Sequence, residues 1–178
     1  MWIAAAKLFI AILGTYLLAR SLALRRAPAA VAALGYGASP YIVVWLQHPH
    51  TNSYILLPWM MLAARRLALN RRPVDAAGLA AVLGLTLLGG HPQSAVLSAL
   101  PAFALLLFEA LQRRDGSRPS GADLLRIAGL TAGACALGAG VAAITLLPFA
   151  EALGQSDMLS RATTAPSPVG LIAVLAPT

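Results

Sequence analysis

Polar breaks divide this chain into apolar runs, and these runs constrain the fold more than any motif does. They cover most of the 178 residues, namely 2–19, 28–46, 53–64, 74–88, 93–108, 122–153 and 169–178. Crossing the hydrocarbon core of a bilayer takes about 20 apolar residues. The pattern predicts an all-α, polytopic transmembrane helix bundle with about six spans and the start of a seventh. Residues 1–178 are expected to form a single transmembrane domain, in which the short helices 53–64 and 74–88 are tilted, re-entrant or shielded by protein.

The composition supports a membrane protein and argues against a nucleic-acid-binding protein. Hydrophobic residues make up 59% of the chain and charged residues only 11%, whereas soluble domains carry about 25% charged residues. With so little charge, lipid must cover much of the surface. The net charge of +7 comes from short basic clusters that flank apolar runs, without interleaved aromatic residues. Membrane topology explains such clusters better than nucleic-acid binding does.

The basic residues predict an orientation. Of the thirteen lysines and arginines, all except Lys7 and Arg161 lie at the ends that join runs one and two, three and four, or five and six. By the positive-inside rule these connections are cytoplasmic. The alternate connections, together with the N-terminus, then face outward. The first run lacks the preceding basic segment of a signal peptide, although the N-terminus is predicted to face outward. The last apolar run ends before it is long enough to span a membrane. We therefore expect this chain to be a fragment of a longer protein.

The outward breaks contain all three histidines. They read Gln47-His48-Pro49-His50-Thr51-Asn52 and Gly89-Gly90-His91-Pro92-Gln93. Three interpretations stay open: neutral histidines that form hydrogen bonds at the membrane surface, a metal site made of imidazoles, or a binding site for a polar or phosphorylated substrate. The metal site is disfavoured because no cysteine or carboxylate lies at a ligand spacing. The sequence also lacks GxGxxG, GxxxxGK[ST], HExxH and CxxC motifs.

Other residues on the predicted outer side are candidates for binding. Lys7 lies about one and a half turns into the first helix, so its ammonium can reach outward, either solvated or paired with a lipid phosphate. Arg161 is the single outward arginine and is a candidate partner for a phosphate or carboxylate. Glu151 is either part of the site or a solvated helix end. The aromatics Tyr36, Trp45, Tyr54 and Trp59 are expected to lie at the membrane interface, and the alternative is that one of them stacks on a sugar ring. The glycines Gly129, Gly133, Gly138 and Gly140 are expected to let helices pack closely.

A family resemblance is carried by a series of segments in a fixed order. They are residues 16–24, 29–40, 50–52, 57–67 and 89–93, followed by Leu147-Pro148-Phe149 with Glu151, Ser156 and Arg161. The Gly-His-Pro-Gln element and the closing Leu-Pro-Phe stretch are the most specific. In this order the segments resemble the YfhO-like bacterial membrane proteins, which are similar to GT-C glycosyltransferases.

The resemblance implies an enzyme at the outer face of the bacterial cytoplasmic membrane. Such an enzyme moves a sugar from a polyprenyl-phosphate donor to a cell-envelope glycopolymer or glycolipid. In GT-C enzymes an acidic residue of the first outer loop acts as the base or as a metal ligand. That loop would precede Met1, because no carboxylate occurs before Asp75. No catalytic residue or metal ligand is therefore assigned here, the fragment is expected to be inactive, and any divalent metal would belong to the full-length protein.

This chain would then supply residues that bind the substrate. The expected substrate-binding residues are Lys7, His48, His50, Asn52, His91, Gln93, Glu151 and Arg161. Two other functions stay open. A flippase or transporter of the same lipid-linked sugar also needs an outward polar cavity, although the hydropathy shows no clear inverted repeat. A non-catalytic membrane scaffold would explain the small-residue helices and leave the histidines in solvated loops.

Overall fold

The computed structural model of the protein describes residues 2–112 and 119–154, with only the backbone of Leu153. Throughout these ranges the chain consists of helices joined by short turns, which confirms the all-α prediction. The helices are α1 (Trp2–Ser21), α2 (Arg26–Gly37), α3 (Pro40–Val44), α4 (Pro49–Asn70), α5 (Pro73–Leu88), α6 (Pro92–Leu111), α7 (Gly121–Val141) and α8 (Ala143–Gly154). The predicted seventh run lies outside the described residues.

Four stretches are long and apolar enough to cross a membrane. They are Trp2–Ser21, Arg26–Val44, Pro92–Leu111 and Gly121–Val141. The second of them combines α2 and α3, which are separated by a short break at which the Ser39 hydroxyl accepts a bond from the amide of Ile42. Two shorter apolar helices, Pro73–Leu88 and Ala143–Ala152, accompany them. The chain therefore has the helices of a membrane protein.

The helix α4 lies at the centre of the bundle. It packs against α1, α5 and α6, and its buried side chains include Met60, Ala64 and Leu67. The sequence predicted only a short helix over 53–64, but α4 is 22 residues long in total. Its length is roughly 33 Å at the usual helical rise. Proline at the first helical position favours the start of the helix at Pro49. Protein neighbours, rather than lipid, surround most of this less apolar helix.

Successive crossings of the bundle run in opposite directions. The bond from Lys7, in the first half of α1, to Leu46, just before α4, and the ion pair between Arg65 and Glu109, near the ends of α4 and α6, indicate that α1, α4 and α6 run the same way. The ion pair between Arg71 and Asp123 joins the end of α4 to the start of α7, which runs the opposite way. One end of the bundle thus holds the histidines and the other the arginines. We call them the histidine end and the arginine end.

The predicted sixth run, residues 122–153, is not one helix. α7 ends at Val141, Ala142 caps it, and α8 begins at Ala143. Helices α1 to α7, together with Ala143, belong to one compact unit, and the described residues of α8 from Ile144 belong to a second. Within its own unit, α8 is a 12-residue apolar helix that contains Pro148. The prediction of a single domain over the whole chain stays a prediction.

One glycine of the predicted small-residue series makes a close helix contact. A Cβ on Gly138 of α7 would lie 3.0 Å from the carbonyl oxygen of Ala80 and 3.3 Å from the amide nitrogen of Gly84, both on α5. In contrast, a Cβ on Gly129, Gly133 or Gly140 would have no neighbouring heavy atom within 4 Å. Close approach of backbones through small residues is a common way to pack helices in membranes. Among the four glycines predicted to pack closely, only Gly138 makes such a contact, between α7 and α5.

We expect Gly138→Ala to destabilise the bundle and Gly133→Ala not to. The added methyl at position 138 meets backbone atoms, which cannot yield as a flexible side chain does, at a cost of about 1–3 kcal/mol. At position 133 the same methyl enters open space and improves helix propensity. Thermal unfolding of both variants in the same detergent measures the difference. An equal melting temperature for the two variants would contradict this packing.

Candidate histidine and aromatic site

The two histidine-containing breaks meet at one end of the bundle. The Asn52 side-chain amide donates to the carbonyl of Gly89 at 3.1 Å, and the Ser53 hydroxyl donates to the carbonyl of Thr86 at 3.4 Å. The turn after α5 passes through Gly90 at a φ of +84°, a conformation that glycine adopts without strain. These bonds fix the first turn of α4 against the α5–α6 connection. Asn52 thus has a structural role at the site.

The three imidazoles form a row with His50 in the middle. The ring centroids of His48 and His50 lie 5.5 Å apart with nearly parallel planes, and those of His50 and His91 lie 5.8 Å apart. The sequence placed these residues on one side of the membrane, and the structure brings their rings into contact distance. Residues from two separate connections therefore present one polar surface.

Aromatic rings continue this row. The Trp45 ring centroid lies 4.8 Å from that of His48 and 5.1 Å from that of His50. Tyr41 lies 6.1 Å from His50 and 5.3 Å from Tyr54. We call these six residues the histidine–aromatic cluster: Tyr41, Trp45, His48, His50, Tyr54 and His91. About two fifths of the Trp45 side chain is exposed, so the cluster has a surface that a ligand can reach.

A cavity adjoins the cluster. Its volume is about 370 Å³, and it is lined by Tyr36, Ser39, Tyr41, Ile42, Tyr54 and Leu57. Tyr41 and Tyr54 belong to both the cavity and the cluster. The lining offers hydroxyl groups and ring faces together, a combination that suits a ligand with an apolar face and hydroxyl substituents.

His91 is also the N-terminal cap of α6. Its Nδ1 accepts from the amide of Ser94 at 3.2 Å and lies 2.8 Å from the Ser94 hydroxyl. A nitrogen that accepts a backbone N–H carries no proton, so the neutral ring is protonated at Nε2. The free Nε2–H is then a hydrogen-bond donor. Capping by Nδ1 accounts for the orientation of this ring. Its Nε2–H can donate to a ligand at the row of histidines.

Lys7 and Thr51 hold the turn that precedes His48. The Lys7 ammonium donates to the carbonyl of Leu46 at 2.9 Å, and the Thr51 hydroxyl donates to the carbonyl of Trp45. Lys7 thus reaches the histidine end, as the sequence predicted, with one of its three protons bonded to the backbone of the turn. A lysine in an apolar helix is well accommodated in this way because carbonyl oxygens replace part of its hydration.

The remaining predicted site residues are Gln93, Glu151 and Arg161. Gln93 is exposed in the first turn of α6, beside His91. Glu151 is exposed in α8, within the second unit. Arg161 lies outside the described residues. The three carboxylates described in α1 to α7 are Asp75, Glu109 and Asp123, which all lie toward the arginine end. No described carboxylate of that unit therefore reaches the histidine–aromatic cluster.

The imidazoles do not form a metal centre in the described part of the chain. Among residues 2–112 and 119–154, no group of three or more histidines, cysteines, aspartates or glutamates is arranged to hold a metal ion. The rings of His48 and His50 are stacked on each other, and metal ligands must instead direct nitrogen lone pairs to one point. The described geometry favours hydrogen bonding to a ligand over metal coordination.

Two aromatic residues differ from the sequence prediction. Trp59 was expected at the membrane interface, but it lies in the middle of α4 and donates its indole N–H to the carbonyl of Ile10 at 2.9 Å. The missing side chain of Gly14 makes room for its ring. Tyr41 was not predicted as a site residue at all. Its spacing of four residues from Trp45, which repeats between His50 and Tyr54, places each pair on one helix face and was the available signal.

The titration of His50 reports on the cluster. Partial desolvation, together with the neighbouring imidazoles of His48 and His91, lowers the pKa of His50 below the usual value. A histidine with a lowered pKa binds fewer protons in the folded state, so stability is lost as pH falls through about 6.5. We expect an NMR titration to place the midpoint of His50 below 6.5 and His48→Gln to raise it. An unchanged midpoint in that variant would show that the His48 ring does not influence the pKa of His50.

Comparison with known proteins gives no family assignment. No protein-family model, no curated protein and no solved structure matches this chain. The resemblance to the YfhO-like family accordingly stays a prediction from the sequence. The structure contributes the fold, and it shows that three histidines and several aromatic rings converge at one end of the bundle.

Proposed function

We propose that this chain is part of a YfhO-like membrane glycosyltransferase and that the histidine–aromatic cluster binds the sugar of a polyprenyl-phosphate donor. The observation that carries the proposal is the meeting of His48, His50 and His91 with Tyr41 and Trp45 at one end of an apolar helical bundle. Neutral imidazoles both donate and accept hydrogen bonds, as sugar hydroxyls do. Aromatic faces offer apolar area against which a sugar ring can pack.

The location of the cluster suits a donor that arrives through lipid. A polyprenyl-linked sugar moves laterally in the membrane, so its binding site needs no phosphate-cradling glycine loop. The cavity beside the cluster is lined by the apolar side chains of Ile42 and Leu57 together with phenol groups. A ligand with a polar head and an apolar tail matches this combination. The Lys7 ammonium, with two protons not used by Leu46, lies close enough to the turn to favour a phosphate.

The proposal assigns binding, not catalysis, to the cluster. Transfer of a glycosyl group in this class needs a carboxylate, and the described carboxylates of α1 to α7 lie toward the opposite end. The family resemblance places that acidic residue in an outer loop, and no residue of this chain is assigned to it. His48, His50 and His91 then orient the donor, and Gln93 extends the same surface. The acceptor is a cell-envelope glycopolymer or glycolipid.

The proposed topology has six crossings with the histidine end outside the bacterial cytoplasmic membrane. Alternating helix directions support it, because α4 and α5 complete the up-and-down series begun by the four long apolar stretches. The enrichment of arginine at the other end supports a cytoplasmic location for that end. The central position of α4 allows a helix of lower hydropathy to cross.

We expect Trp45→Ala to weaken donor binding about fivefold, since loss of a packed aromatic face costs on the order of 1 kcal/mol. The probe is a water-soluble short-chain polyprenyl-phosphate glucose, titrated calorimetrically into the detergent-solubilised protein. Trp2→Ala is the matched control, because Trp2 is 90% exposed and belongs to no ring contact. Equal affinity of the two variants would remove the cluster from the binding site.

Activity distinguishes an enzyme from a transporter. In proteoliposomes containing the protein, we expect His48→Ala combined with His50→Ala to reduce sugar transfer at least tenfold, because two of the three hydrogen-bonding rings of the row are lost. The product is measured as a new glycosidic bond on the acceptor. Movement of the donor across the bilayer without such a bond would instead assign a flippase. Absence of both activities in the unsubstituted protein would favour a scaffold.

A further inference from the structure

A cleft opens at the arginine end of the bundle, whereas the histidine–aromatic cluster lies at the histidine end. α1 and α5 each pack against α4, and between them a cavity of about 290 Å³ remains with α4 as its floor. Trp59, Leu62, Ala63 and Arg66 form the floor, at spacings that lie on one face of a helix. Leu17 of α1 forms one wall, and Val74, Asp75, Gly78 and Val82 of α5 form the other.

The cleft is charged at one end and apolar at the other. α4 and α5 run in opposite directions, and Arg66 lies seven residues after Trp59 while Asp75 lies seven residues before Val82. Seven residues of helix extend roughly 10 Å. Arg66 and Asp75 both lie close to the turn that joins α4 to α5, at the mouth of the cleft, and Trp59 and Val82 lie deeper in the bundle. Because the mouth coincides with the ends of apolar helices, it lies where lipid headgroups meet water.

Neither charged group at the mouth forms an ion pair within the described part of the chain. Arg66 is exposed and forms no ion pair among the described residues, either with Asp75 or with another acid. The Asp75 Oδ2 is shielded from solvent and has no hydrogen-bond partner in the described part of the chain. A shielded carboxylate oxygen without a donor is costly, and a ligand that supplies an N–H removes that cost.

We propose that this cleft binds a phospholipid with a primary ammonium headgroup, of the phosphatidylethanolamine type. The phosphate pairs with the Arg66 guanidinium, the ammonium donates to the Asp75 carboxylate, and the first part of an acyl chain lies along Leu17 and Val82 toward Trp59. Phosphatidylcholine has no N–H to donate to Asp75. An anionic headgroup would satisfy Arg66 but place a second negative charge beside Asp75 without a compensating cation.

Native mass spectrometry of the full chain tests this site. The detergent-purified protein is mixed with phosphatidylethanolamine, phosphatidylcholine or phosphatidylglycerol of identical acyl chains, and the bound lipid is counted. We expect phosphatidylethanolamine to be retained roughly tenfold more than phosphatidylcholine, as loss of a charge-assisted hydrogen bond predicts. Equal retention of these two lipids, or stronger retention of phosphatidylglycerol, would overturn the proposal.

Three variants locate the headgroup contacts. Asp75→Asn is expected to remove the preference for phosphatidylethanolamine over phosphatidylcholine while binding of both continues. Arg66→Gln is expected to weaken all three phospholipids, whereas Arg72→Gln, an exposed arginine that does not line the cleft, leaves retention unchanged. A preference that persists in Asp75→Asn would contradict the role given to the carboxylate.

A pair of glycine-to-leucine variants distinguishes loss of lipid binding from loss of folding. A Cβ on Gly78 would meet no heavy atom within 4 Å, so Gly78→Leu projects into the cleft without meeting backbone and is expected to abolish lipid retention. Gly129→Leu is the matched control, because position 129 is equally open and lies outside the cleft. Circular dichroism verifies that both retain their helices. Unchanged retention in folded Gly78→Leu would place the lipid elsewhere.

Discussion

The packing of α4 among α1, α5 and α6 underlies the rest of the structure. α4 carries arginine, asparagine, serine and histidine, which hydrocarbon would not accept. Neighbouring helices satisfy these groups: Asn52 and Ser53 bond to carbonyls at the end of α5, and Arg65 pairs with Glu109 of α6 at 2.7 Å. Because polar groups deep in a bilayer need partners within the protein, these bonds fix the rotation of α4 and bring both ends of the bundle into register.

That rotation produces two chemically different ends. At the histidine end, the first turn of α4 carries His50 between His48 and His91. At the arginine end, the last turns of α4 carry Arg66 toward the cleft and Arg71 toward Asp123. Between the ends the helix buries Met60 and Ala64 in an apolar core. A sugar site and a phospholipid site on one helix would both depend on the same packing, although their residues do not overlap.

Particular residues show how far the sequence could be interpreted. The apolar runs predicted the helices, and the shared side of the three histidines followed from alternation of the breaks. The interruption at Ala142 was not predicted, because Gly138 and Gly140 just before it were interpreted as close-packing residues within one helix. Trp59 was taken for an interfacial residue, since sequence spacing cannot show that Gly14 of another helix leaves space for its ring. Likewise, only Gly138 of the predicted glycine series meets a neighbouring helix closely.

The sequence by itself determined the class of the protein, the approximate helices, and the separation of histidine from arginine, because hydropathy and charge act locally along the chain. Only the tertiary structure decided which side chains meet. The imidazole row depends on a bond between Asn52 and Gly89, which are 37 positions apart, and the cleft depends on the distance between α1 and α5. Such contacts arise from helix rotation and packing depth, and neither quantity is encoded in the periodicity of a single helix.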